Sequence, residues 1–259
     1  MKSKKLYTNI KLPKISIITP VMNGEKQLEK CLKSVSNQNY PKKYIEHIVI
    51  DGGSTDNSVS IIKKNKKNIK YWNTKKDRSL YDAINIGLQR CTGDIIGILN
   101  SDDYFYKNTF KTISKYFNKS NIDFLFGSVA KKKIFHNFYP SKLWYTFNIY
   151  PSHSVSFFIK RKIHKKIGNY NLKFKYSADR DLFYRMITKF KLVGMATKRS
   201  EVFGKFNLFG ISSRVPFLTK IYEEFRIRIF NRQNFFQVFL VTIAYLAYYL
   251  LNKIIKRFN

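Results

Sequence analysis

The chain has 259 residues, of which 44% are hydrophobic and 17% aromatic. That excludes a disordered polycation and leaves room for one large domain, or one domain with an appendage. Lys and Arg number 49 against 16 Asp and Glu, for a net charge of +33, a field that favours nucleic acid, anionic lipid or phosphate-bearing substrates.

The charge is uneven, at +12 over residues 1–130 and +21 over residues 131–259. The start, MKSKKLYTNIKLPK, is basic, but no apolar run of signal-peptide length follows. No signal peptide is read, and a cytoplasmic location is expected. ISIIT (15–19) predicts a buried strand. EKQLEKCLKSVSNQ (25–38) predicts a helix, with Leu28, Cys31, Leu32 and Val35 at helical spacing. A second strand is expected over 44–50, a helix over 56–65 and a third strand over 69–73. A helix over 79–91 follows, with Gly93 as its stop, then a strand over 94–99. The last pair of this half is a helix over 108–117 and a strand over 123–129. Cys31 and Cys91 fall inside helical patterns without metal-ligand spacing and read as core thiols.

This alternation predicts a mostly parallel sheet with helices on both faces. Ligands of such sheets gather at the carboxyl ends of the strands. Three of those ends read TPVMNG, DGGSTDNS and NSDD. They are small, polar or acidic, which suits a nucleotide with a metal. Asp51 ends a strand before two glycines that permit a tight turn and close approach to a ligand; the alternative is a loop and helix cap with no ligand. The NSDD run offers hard oxygen donors for a dication beside a diphosphate, or a solvated turn. There is no Gly-Lys-Ser/Thr phosphate loop and no G-x-G-x-x-G.

Beyond residue 130 the chain is irregular, basic and aromatic. SVSFFIK (154–160) predicts a strand, and SADRDLFYRMITKF (177–190) a helix. Asp181 reads as a cap or an i, i+4 partner of Arg185. The tail 235–258 is the most apolar stretch, with Lys253, Lys256 and Arg257 at its end. Its apolar run is just long enough for a membrane-spanning or interfacial helix.

The runs from Ile15 to Ile62 and from Asp77 to Phe105 together resemble the nucleotide-binding half of the family-2 glycosyltransferases. The likeness is strong over 14–105 and looser over 150–212. It implies a GT-A fold: a mostly parallel nucleotide-binding sheet flanked by helices, here followed by a C-terminal helical hydrophobic tail. Domain limits follow as a catalytic unit over 1–212 (nucleotide-binding half 1–130, acceptor half 131–212) and a tail segment over 213–259.

The same resemblance implies an inverting hexosyltransferase that uses a nucleotide-sugar donor. The acceptor would be a glycan or polyprenyl-diphosphate-linked glycan, in cell-surface polysaccharide synthesis at an anionic cytoplasmic membrane surface. Thr19, Pro20 and Asn23 would line the base and ribose pocket. Asp51 would hold the base, with Asp82 and Asn85 beside the nucleotide. Asn100-Ser101-Asp102 falls where the family has D-x-D, so Asp102 would ligate Mg²⁺ or Mn²⁺. Asp179 aligns with the catalytic base, and His153 would touch the diphosphate or acceptor. Arg180, Arg185 and FGISSR (209–214) are further candidates to neutralise the departing diphosphate.

Two departures stand out. Asn100 replaces the first Asp of the triplet, and Ala178 replaces the Glu that usually precedes the base. They keep open a degenerate, non-catalytic homologue. The charge keeps open a nucleic-acid-binding protein, although no such module is recognisable.

Overall fold

The computed structural model describes residues 12–208, 210 and 214–258; the basic start through residue 11 lies outside them. The strands are β1 (Ile15–Val21), β2 (Ile45–Asp51), β3 (Tyr71–Thr74), β4 (Ile95–Ile98), β5 (Tyr104–Phe105), β6 (Phe124–Phe126), β7 (Ser128–Ala130), β8 (Ile134–Phe135), β9 (Phe157–Lys160), β10 (Gly194–Ala196) and β11 (Val202–Lys205). The helices are α1 (Leu28–Ser36), α2 (Ser58–Asn65), α3 (Leu80–Arg90), α4 (Thr109–Lys119), α5 (Arg161–Ile167), α6 (Ala178–Tyr184), α7 (Phe217–Phe230) and α8 (Phe235–Phe258).

A seven-stranded sheet in the order β10-β6-β9-β4-β1-β2-β3 forms the centre. Its neighbours are parallel except at β9, which runs antiparallel to β4 and β6. This is the mostly parallel, helix-flanked sheet that the sequence predicts. All seven residues of β1 are buried, as expected of a strand covered on both faces. Side-chain alternation sends Ile15 and Ile17 to one face, against Cys31 and Val35 of α1 and Phe110 and Ile113 of α4. Ile18 goes to the other face, against Tyr81 and Ile84 of α3 and Leu182 and Phe183 of α6.

Three expectations need correction. The strand over 123–129 is two strands in two sheets. It breaks at Gly127, where a Cβ would lie 2.1 Å from the Phe203 ring, and β7 joins a four-stranded sheet, β5-β11-β7-β8. The helix over 177–190 is α-helical only to Tyr184 and continues as a π-helical turn over Arg185–Lys189. Gly93 is not the stop of α3, because the chain is already extended at Cys91; it instead lies against the start of β1, where a Cβ would meet Ser16 Oγ at 2.6 Å. Cys31 and Cys91 are free and buried.

The residues beyond the limit expected at 213 pack on the rest of the chain through α7. Ile227 of α7 belongs to the main core cluster, and Glu223 accepts the Lys175 and Tyr176 amides. Arg228, 1% exposed, donates to the Leu143 and Trp144 carbonyls. α8 is peripheral. It is a 24-residue helix, about 36 Å long at 1.5 Å per residue. It rests on α7 through Val238 and a Phe217–Tyr249 ring stack at 4.2 Å. Phe235, Phe236, Leu240, Leu250 and Leu251 remain exposed.

Candidate active site

β1, β2 and β3 end side by side, with Val21 opposite Asp51 and Asp51 opposite Thr74. The Asp51 carboxylate is fully buried. One oxygen accepts from Ser54 Oγ (2.5 Å); the other accepts from Thr74 Oγ1 (2.6 Å) and the amides of Ser54 and Gly53. Asp51 therefore shapes its own loop before it meets any ligand. The β1 loop is tied to that loop. Asn23 adopts a left-handed φ of 49°, a conformation asparagine tolerates. Its side chain accepts from the Thr55 amide, and its own amide donates to Ser54 Oγ. Gly24 donates to Ser58 Oγ and Glu25 to Asp56, and Pro20 is buried just before this lacing.

Thr19 and Asn85 do not present their side chains as expected. Thr19 is fully buried, with its hydroxyl 2.9 Å from His47 Nε2. Asn85 bonds both polar groups of its amide to the Tyr170 backbone. Asp82 pairs with Arg78 one turn earlier. Asp77, which no sequence motif marks, feels the charges of both Asp82 and Asp51. Burial and those two carboxylates push it up to about 6. A Cβ on Gly52 would strike its Oδ2 at 2.5 Å, so the glycine is what lets Asp77 close over the loop.

At the end of β4, the Asn100 amide donates to Ser154 Oγ. Asp103 turns inward, 2% exposed, and accepts from Ser154 Oγ (2.5 Å) and the Asn207 amide (2.7 Å). Burial and the Asp102 charge push it up to about 7. Asp103 is thus a structural acceptor and does not replace the carboxylate missing at 100. Asp102 accepts from Asn207 Nδ2 at 3.3 Å, and burial raises its pKa. Ser101 packs against Gly24. Asn100 Oδ1 is buried with no hydrogen-bond partner.

Among the described residues no three His, Cys, Asp or Glu side chains form a metal-binding group. Asp102 and the unpartnered Asn100 oxygen still fit a hard cation that takes its remaining ligands from phosphate and water. They are oxygen donors one residue apart at a strand end, and nothing else claims the amide oxygen.

A cavity of about 220 Å³ opens beside Asn100 and reaches Asp179. Its wall includes Tyr81, Lys131, Tyr150, His153 and Arg180. Asp179, in the first turn of α6, accepts from Tyr81 OH at 2.8 Å and Tyr150 OH at 3.1 Å. Burial and the Asp179 charge raise both tyrosines well above their ordinary range, so they remain neutral donors. His153 is 2.7 Å from Tyr170 OH, and burial lowers its pKa, favouring the neutral ring.

Arg185 is spent on Asp181 (2.9 Å) and the Ile167 and Asn169 carbonyls. That bears out the pairing read for Asp181 and removes Arg185 as a diphosphate ligand. Arg180 is ion-paired to Glu224. Of the FGISSR run, 209 and 211–213 lie outside the described residues.

The family model "Glycosyl transferase family 2" matches residues 16–183. An uncharacterized glycosyltransferase of Mycobacterium tuberculosis is 28% identical over 228 residues, covering 79% of this chain and 86% of that protein. The poly(ribitol-phosphate) beta-N-acetylglucosaminyltransferase TarS of Staphylococcus aureus is 31% identical over 115 residues, which cover 43% of this chain and 20% of TarS. The structure of TarS 1–349 in complex with UDP-GlcNAc superposes with a TM-score of 0.63 at 15% identity, over 90% of this chain and 71% of that one. A longer TarS structure is covered to 43%. The mannosyltransferase PcManGT of Pyrobaculum calidifontis, in complex with GDP-Man and Mn²⁺, superposes with a TM-score of 0.66 at 16% identity, over 91% of this chain and 74% of that one.

Proposed function

The chain belongs to glycosyl transferase family 2, and from that premise we propose that it transfers a sugar from a nucleoside-diphosphate sugar to a hydroxyl of a glycan or lipid-linked glycan, with inversion. One observation carries the reading: Asp179 and Asn100, 79 positions apart in sequence, line the same cavity at the carboxyl end of β4. The laced loops of β1 and β2, with Pro20, Asn23, Asp51, Asp82 and Ser101, are assigned to the nucleoside. Asp102, with the Asn100 oxygen, would hold a divalent cation, which would supply positive charge to the departing diphosphate.

Asp179 removes the acceptor proton as the hydroxyl attacks. Each of its oxygens accepts one tyrosine hydroxyl, Tyr81 on one and Tyr150 on the other, and keeps a lone pair for the acceptor hydroxyl. A single displacement from the side opposite the nucleotide inverts the anomeric centre. His153 borders the same space as a neutral hydrogen-bonding group.

The reading is tested by thermal shift with UDP, GDP, dTDP and CMP, with and without Mn²⁺. A ligand at a hundred times its Kd adds about 2.7 kcal/mol. One diphosphate should stabilise the fold, Mn²⁺ should enlarge the shift, and Asp102→Ala should shrink it. No shift from any nucleotide overturns the reading and returns attention to the basic surface.

The acceptor is assigned to a membrane. Phe235–Asn252 has a mean hydropathy of 1.6 with only 11% of the segment buried, and basic residues follow it in sequence. A chain ending at Asn234 should leave the membrane fraction and keep its nucleotide shift; if it stays with the membranes, α8 is not the attachment. Polysaccharide synthesis is the process this acceptor fits, consistent with the name of TarS.

A further inference from the structure

One basic side chain of the cavity has no part in that mechanism. Lys131 follows β7 and lines the cavity with Asn100, Pro151 and Phe206. An ammonium has three N–H donors. Lys131 gives one to the Pro151 carbonyl at 2.8 Å. Among the described residues it forms no ion pair, whereas Arg180, the other basic group of the cavity wall, is paired with Glu224.

The ammonium is also fixed in place. Nζ lies 4.7 Å from the ring centroids of both Phe135 and Phe206, and the Lys131 carbonyl accepts from Lys205 Nζ. Burial lowers its pKa while the Asp103 charge raises it again. A half-buried cation with donors left over is costly unless an anion meets it. The neighbouring position 100 carries a neutral amide, which removes one negative charge from the place where phosphate would sit.

We infer that Lys131 binds the diphosphate of the nucleotide, so that this site holds its ligand with a fixed ammonium in addition to the divalent cation. Asn100 and Lys131 then act together: the amide removes repulsion and the ammonium adds attraction, leaving the site less dependent on metal than one with two carboxylates. This rests on the donor reading above, since it presumes a nucleoside diphosphate in the cavity.

The test is binding in EDTA, with the nucleoside diphosphate that gives the largest thermal shift and with the matching nucleoside, measured by calorimetry. Wild type should retain diphosphate binding without metal. Lys131→Met keeps the apolar stem and should weaken the diphosphate roughly ten- to a hundredfold, the size of a lost charged hydrogen bond, with nucleoside affinity unchanged. Lys131→Arg should restore most of the loss. Equal diphosphate affinity in wild type and Lys131→Met overturns the inference while leaving the transferase reading intact. Parallel loss of nucleoside and diphosphate places Lys131 in the fold and also overturns it. If wild type binds no nucleoside diphosphate with or without Mn²⁺, the transferase reading falls, and this inference with it.

Discussion

Around Asp51 every carboxylate oxygen is claimed by the protein, and the two loops beside it bond to each other across a gap of about thirty residues in sequence. Around Asn100 and Lys131 an acceptor and a cation's donors are left over. The first region is a rigid frame whose polar groups stabilise one loop shape. The second keeps groups in reserve, at a cost in stability, for charge that arrives with a ligand. Binding shape and chemical charge are thus carried by different parts of one strand-end surface.

The strongest way to break that comparison is Asp179→Asn. General-base catalysis contributes about 10²–10⁴-fold, and transfer should fall by that order while nucleoside diphosphate affinity stays unchanged. A parallel loss of affinity would show that frame and cavity are not separable.

A second pair of variants compares the regions through stability. Ser54→Ala removes the 2.5 Å donor to a buried carboxylate oxygen and the acceptor of the Asn23 amide. It should destabilise by about 1–3 kcal/mol, seen in denaturant unfolding. Asn100→Ala removes a buried side-chain oxygen that bonds to nothing and should leave stability unchanged or raise it, by up to about 1–3 kcal/mol. If Asn100→Ala proves the costlier, the assignment of reserve and frame is reversed.

The smallest effect sharpens the frame through pH. His47, buried in β2 beside β1, is pushed down to about 3 by burial. Folded, it stays neutral down to that value; unfolded, it takes a proton below about 6.5. Its contribution is therefore complete above pH 6.5 and lost progressively as pH falls toward 3. Wild type should lose stability more steeply than His47→Gln between pH 6.5 and 5, by at most about 1.4 kcal/mol per pH unit. Equal slopes would mean that His47 is not buried neutral.

Much of the first region was legible because its signals are local. Seven-residue β1 and the 28-31-32-35 stripe of α1 announce their burial by spacing alone. Asp51 at a strand end, with small residues after it, marks a loop that must turn tightly. The second region was only partly legible. Asn100, Asp102, His153 and Asp179 were picked out by their motifs, but Lys131, Tyr81 and Tyr150 carry no local signal. They sit in a basic, aromatic background where one lysine or tyrosine resembles any other.

By itself the sequence determined the order of β1 to β4 and of α1 to α4, the acidic strand ends and the apolar tail, because each depends on residues within one turn or a few positions. The tertiary structure decided which way the side chains at those ends face. Asp103 turns inward because Ser154 and Asn207, 51 and 104 residues later, supply its donors. Asp51 closes on itself because Thr74 arrives from the next strand. Gly127 splits a predicted strand because the Phe203 ring occupies the space a side chain would need. Direction at a turn is set by the partner that satisfies it, and those partners become neighbours only when the sheet is assembled.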